Sequence, residues 1–128
     1  MCFETKFPRC GTHYTPTWFV AADVTKSKIV LSFRGSEALN DYIITDANCS
    51  NISYPACESI NCKVYAGFYG SWLEAKPLVQ AGITNATNDP RFSGYGLVFI
   101  GHSLGAAQAL FAALDYRQSG YTVDLVSC

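Results

Sequence analysis

Leu97-Val98-Phe99-Ile100-Gly101-His102-Ser103-Leu104-Gly105 carries a continuous apolar run into a G-x-S-x-G pentad, and an Ala/Leu/Phe-rich stretch from Ala106 to Leu114 follows it. Strand, pentad and helix in that order make a nucleophile elbow, a sharp turn that raises the central hydroxyl above the end of a sheet. Glycines flank the serine because strand and helix backbones pass too close there for larger side chains. Ser103 is therefore the candidate nucleophile, with Gly101, His102 and Gly105 completing the elbow. The backbone N–H of Leu104, at the helix N-terminus, faces developing negative charge and is a candidate oxyanion-hole donor.

The run over residues 95–100 predicts a strand covered on both faces of a parallel sheet. The helix after Ser103 is apolar nearly all round until Asp115 and Arg117, so it is expected to be buried. Ser119-Gly120 is a helix stop, and residues 122–127 read as the next strand. Strand, helix, strand with covered faces predicts an α/β fold. Upstream, Trp18–Asp23 and Lys28–Phe33 read as two strands joined in a hairpin by the polar residues 24–27. Residues 37–44 form a candidate short amphipathic helix with Leu39, Tyr42 and Ile43 on one side. Apolar spacing predicts a helix over 72–83, with Pro77 as a kink or late start and Asn88-Asp89-Pro90 as its end. The first fifteen residues and the segment 46–62 read as irregular, the latter as an exposed, cross-linked loop.

Composition narrows the class of protein. With 49% hydrophobic and 15% charged residues over 128 positions, the chain has the makings of a core and is not disordered. A formal charge of −1 without a Lys/Arg cluster speaks against nucleic acid as a partner. The cysteines Cys2, Cys10, Cys49, Cys57, Cys62 and Cys128 have no zinc-ligand spacing, so no metal is expected and disulfides in an oxidising compartment are the better reading. Sequons at Asn48, Asn51 and Asn85 agree with the secretory route. Met1-Cys2-Phe3-Glu4-Thr5-Lys6 lacks the pattern of a signal peptide, which implies a leader already removed or an internal start at Met1. No apolar run reaches transmembrane length.

A serine hydroxyl needs a general base within hydrogen-bond reach, commonly a histidine oriented by an acid. His13 and His102 are the histidines of the chain. His102 lies inside the elbow, where a side chain normally aims away from the nucleophile, and His13 precedes Ser103, against the Ser, acid, His order of this fold. Asp115 and Asp124 read as surface or capping carboxylates. No histidine follows Ser103 in the 25 residues to Cys128, so the triad is unfinished within this sequence. Ser36, at a strand end, reads equally as a second oxyanion donor or as an N-cap for the segment starting at Glu37.

Phe33-Arg34-Gly35-Ser36, Val64-Tyr65-Ala66-Gly67-Phe68 and Gly101-His102-Ser103-Leu104-Gly105-Ala106-Ala107 together resemble the fungal class 3 lipase family, from about Trp18 onward. The resemblance implies an α/β-hydrolase-type sheet with flanking helices. It implies a secreted carboxylic ester hydrolase that works through an acyl-enzyme on Ser103 and needs no cofactor. It makes Ser36 an oxyanion donor, gives Glu37, Leu39, Tyr42 and Ile43 to a lid, and pairs Cys57 with Cys62. The implied substrate is an ester, preferentially an acylglycerol lipid at an interface. A feruloyl-type aryl esterase and a truncated, non-catalytic fragment that binds acyl ligands or partners are the alternatives. Tyr65 departs from the family, which usually has histidine there. The resemblance covers the N-terminal half of a catalytic domain, so residues 1–128 read as a partial domain whose family Asp and His lie beyond the last strand. An unpaired edge at that strand, with apolar surface beside it, predicts poor solubility.

Overall fold

A computed structural model describes residues 2–4, 17–35 and 51–127 of the chain. Strand β1 (Cys2–Glu4) pairs antiparallel with β2 (Trp18–Asp23), and β2 pairs antiparallel with β3 (Lys28–Phe33). The β2–β3 hairpin has the predicted bounds, and Asp23 shapes its turn by accepting the N–H groups of Thr25 and Lys26, each at 3.0 Å. Strand β1 corrects the expectation of wholly irregular structure at the N-terminus. Its pairing partner lies in β2, which local sequence does not reveal. The segment 46–62 is also less irregular than expected. It contains β4 (Asn51–Ser53) and a 3₁₀ helix over Pro55–Ile60, and β4 pairs with β5 (Lys63–Tyr65) in a separate two-stranded sheet. Cys57 and Cys62 are disulfide-bonded beside this hairpin.

Helix α1 covers Ala66–Thr87, well beyond the predicted span, and Pro77 lies in its interior. Packing explains the difference: Trp72, Ala75, Val79, Ile83 and Ala86 form one buried stripe, and full burial of a residue as large as Trp72 stabilises by about 2–3 kcal/mol, enough to offset much of the proline's cost. Gly82 lets α1 sit close to the sheet, since a Cβ there would be 3.3 Å from Val20 Cγ2 and 3.5 Å from the Trp18 ring. Strand β6 (Gly96–Gly101) follows, then α2 (Leu104–Gln118) and β7 (Val123–Ser127).

The five-stranded sheet has the order β1-β2-β3-β6-β7, with β3, β6 and β7 parallel. Side chains alternate across it. One face, with Trp18, Val20, Leu31, Phe33, Leu97, Phe99 and Val123, is buried beneath both helices. The register puts Phe19, Ala21, Val30, Val98, Ile100 and Val126 on the opposite face, where they are half-buried or exposed, and no helix among the described residues lies over them. Within the described residues, β6 is thus covered by helices on one face, where both faces were expected to be covered. The residues of β6 are apolar on both sides, so the sequence could not distinguish the covered from the open one. Among the described residues strand β7 is the last of this sheet, and Val126 on it is 50% exposed.

Candidate active site

Parallel strands β3 and β6 end side by side, with Phe33 paired to Gly101. That register delivers Arg34-Gly35 and His102-Ser103 to the same spot at the carboxyl end of the sheet, the usual place for a site in an open α/β sheet. Arg34 is anchored by its N–H, which donates 2.8 Å to the Thr17 carbonyl. A Cβ on Gly35 would lie 3.0 Å from the His102 carbonyl oxygen and 3.6 Å from Ser103 Cβ. The loop after β3 therefore rests directly against the elbow.

Ser103 itself has φ 55° and ψ −123°. This is a sparsely populated conformation for a residue with a side chain, costing of order 1–3 kcal/mol, and it persists only where the surroundings fix it. The glycines show what fixes it. A Cβ on Gly101 would fall 2.0 Å from the Gly105 carbonyl oxygen, and one on Gly105 would fall 2.5 Å from the Phe33 carbonyl oxygen and 3.0 Å from Arg34 C. The strand, the turn and the first turn of α2 thus meet backbone to backbone, and the strained serine is the residue at their junction.

Ser103 occupies the N-cap of α2 but makes no side-chain cap bond, which leaves its hydroxyl available for other chemistry. The Leu104 N–H is one of the first-turn amides that a helix cannot satisfy internally, and the helix dipole makes that end favourable for negative charge. The Leu104 side chain is buried and Ser103 is partly accessible. Such a terminus can hold an oxyanion formed on a carbonyl attacked from Ser103. His102 is exposed, and its Nδ1 would be 3.5 Å from a Cβ on Gly35, so it borders the same corner.

The other candidates divide into those the structure keeps apart and those it does not describe. Asp124 forms an ion pair with Lys28, Nζ to Oδ2 3.0 Å, reaching across Gly96 at the opposite end of the strands from Ser103. Asp115 is twelve residues along α2 from Ser103, roughly 18 Å at about 1.5 Å per residue. Neither carboxylate is placed to orient a base at the elbow. Ser36, the lid candidates Glu37, Leu39, Tyr42 and Ile43, the sequon residue Asn48 and His13 lie outside the described residues. Asn51 and Asn85 are exposed.

Two arrangements escaped the sequence reading. Asp115, read as a surface or capping carboxylate, accepts Trp72 Nε1–H at 2.9 Å and pairs with Lys76 Nζ at 2.8 Å. It ties α2 to α1 from a largely buried position. Gln108 is buried in α2 and donates from Nε2 to the Phe68 carbonyl at 3.3 Å, joining the turn after the elbow to the beginning of α1. A polar residue inside an apolar helix was the available signal for both. A cleft of about 440 Å³ between the C-terminal halves of α1 and α2, bordered by Lys76, Thr84, Tyr116 and Tyr121, contains none of the elbow residues.

The comparison with known proteins agrees with this geometry. The sequence profile of the family described as Lipase (class 3) matches residues 30–128. Secreted mono- and diacylglycerol lipase A of Penicillium cyclopium is 36% identical over 104 residues, covering 80% of this chain and 32% of that protein. A Rhizomucor miehei triacylglyceride lipase structure superposes with a TM-score of 0.74 at 28% identity, covering 88% of this chain and 42% of the other. The mono- and diacylglycerol lipase of Aspergillus oryzae gives a TM-score of 0.71 at 34% identity, covering 84% and 38%. The chain thus spans about a third of the length of the curated relatives it matches. The match includes the β3 end, α1, the elbow and α2 together, and by it this chain belongs to the class 3 lipase family.

Proposed function

We propose that this chain carries the nucleophile half of a secreted serine ester hydrolase that acts on acylglycerols. The strained conformation of Ser103 carries the reading, because a serine held at φ 55° by close backbone contacts on both sides has no packing purpose of its own. Ser103 Oγ attacks the ester carbonyl, its proton passing to a general base, and the Leu104 N–H and Ser36 hold the oxyanion. Collapse of that intermediate expels the alcohol and leaves an acyl-enzyme, which water then cleaves to release the fatty acid. The base and its orienting acid are not assigned within residues 1–128. Acylglycerol is preferred over aryl ester as the substrate class because the similar proteins are named as mono- and diacylglycerol or triacylglyceride lipases. Secretion rests on the same names, on the cysteines and on the Cys57–Cys62 bond.

Release of fatty acid from a diacylglycerol emulsion, followed by titration at constant pH, tests this. The expected result is hydrolysis that falls by at least about 10³-fold in Ser103→Ala. Hydrolysis that survives the substitution, or that is confined to feruloyl esters, overturns the assignment.

A further inference from the structure

Asn85-Ala86-Thr87 closes α1 at the end of that helix away from the elbow. Asn85 is exposed, and its carboxamide has no hydrogen-bond partner among the described residues. The residue between is buried: Ala86 is 3% exposed and faces the core, so its neighbour Asn85 is turned outward. We propose that Asn85 is an acceptor for an N-linked glycan, an inference that rests on the secretory reading above.

In the reaction, the Asn85 carboxamide nitrogen attacks the anomeric carbon of an N-acetylglucosamine carried on a lipid pyrophosphate. The N–C1 bond forms, the C1–O bond to pyrophosphate breaks with its electron pair on the leaving lipid pyrophosphate, and one amide proton is lost to a base of the transferase. The sequon hydroxyl has to approach the acceptor amide during that step. In the folded helix it is engaged elsewhere, since Thr87 Oγ1 donates to the Ile83 carbonyl at 3.0 Å and lies 3.2 Å from that of Thr84. Transfer therefore precedes closure of the last turn of α1, while the segment is still extended.

The position is compatible with the site. The Phe68 carbonyl, bonded to Gln108, marks the elbow end of α1, and Asn85 lies seventeen residues further on. At about 1.5 Å per residue that is roughly 25 Å along the axis. Helical side chains lean toward the N-terminus, so the first sugar lies beside Ala81 and the exposed Leu78, on the outer surface of α1. Asn51, by contrast, is on β4, whose partner β5 leads directly into α1 at the elbow end.

The experiment is secretion of the full chain from a yeast host behind an appended leader. The product is released with an amidase specific for N-glycans in heavy-oxygen water and then peptide-mapped. The expected result is conversion of Asn85 to a heavy-oxygen aspartate, with loss of one glycan in Asn85→Gln and in Thr87→Ala and its retention in Thr87→Ser. Unmodified Asn85 in secreted protein overturns the proposal, whatever is found at Asn51. Because the leader is supplied, a failure of secretion from the native host counts against the secretory reading alone and is scored separately, from the native culture medium. Asn85→Gln separates loss of the sequon from loss of folding, since it leaves in place the Thr87 hydroxyl bonded to the Ile83 carbonyl.

Discussion

Trp72 donates its indole N–H to Asp115 at 2.9 Å, so a fully buried ring on α1 is satisfied by a carboxylate on α2. Lys76 balances the charge from the surface side, while Tyr54 OH approaches the other carboxylate oxygen at 3.5 Å. Asp115→Ala leaves the indole donor buried and unpaired, which costs about 1–3 kcal/mol. Asp115→Asn keeps an acceptor and loses only the pair to a partly exposed lysine, worth less than about 1 kcal/mol. Urea denaturation of the two variants checks this order. Equal losses would show that the bond to Trp72 carries no weight.

Alkaline titration reports on the same cluster. Burial first, then the charge of Asp115, pushes the Tyr54 hydroxyl up to about 12, and burial followed by Tyr121 does the same for Tyr116. A tyrosine whose folded value lies above its unfolded value of 10.0 stabilises the fold below pH 10, and that contribution is lost as pH rises toward 12. Stability is therefore expected to hold up to about pH 10 and to fall between there and about 12. Among the described tyrosines, tyrosinate absorbance should show Tyr54 and Tyr116 titrating late, and Asp115→Asn should bring Tyr54 down while leaving Tyr116 in place. If both move together, Asp115 is not the charge acting on Tyr54.

Much of this architecture was legible in the sequence, for physical reasons that differ from element to element. The β2–β3 hairpin was readable because its apolar runs flank a polar turn, and the elbow because its glycines answer a local steric demand. Helix α1 was misjudged at its start because Pro77 is a strong local signal, whereas the stripe from Trp72 to Ala86 that overrides it acts through tertiary packing. Which face of β6 the two described helices cover was hidden because Val98 and Ile100 are as apolar as Leu97 and Phe99. Asp115 was hidden because its partners Trp72 and Lys76 lie some forty residues away in sequence. The expected nucleophile and the Leu104 amide are brought together with Gly35, but nothing in the sequence places a base beside them.

The elbow tolerates no added carbon. A Cβ on Gly105 would sit 2.5 Å from the Phe33 carbonyl, a backbone atom that cannot swing away. Gly105→Ala is expected to destabilise the chain by about 3 kcal/mol, the upper end of the overpacking range, because the clash is with backbone. Gly70→Ala is the control, because a Cβ there meets nothing within 4 Å and replaces glycine inside α1. It should stabilise by roughly 0.4–1 kcal/mol. Thermal melts that rank the two variants the other way would contradict the packing described for the elbow.

The open sheet face offers Phe19 at 41% and Val126 at 50% exposure beside Val30, Val98 and Ile100. An apolar sheet face that the described residues leave uncovered favours self-association. Sedimentation velocity should show less association in Val126→Lys than in the unaltered chain at equal concentration. An unchanged profile would mean that this face is not the adhesive one.

The proposal that Ser103 is the nucleophile is tested most directly by intact mass after incubation with an activated alkyl phosphonate ester. Stoichiometric addition of one phosphonyl group is expected, located to Ser103 by peptide mapping and absent in Ser103→Ala. No labelling of the unaltered chain, or labelling that persists in Ser103→Ala, would contradict it.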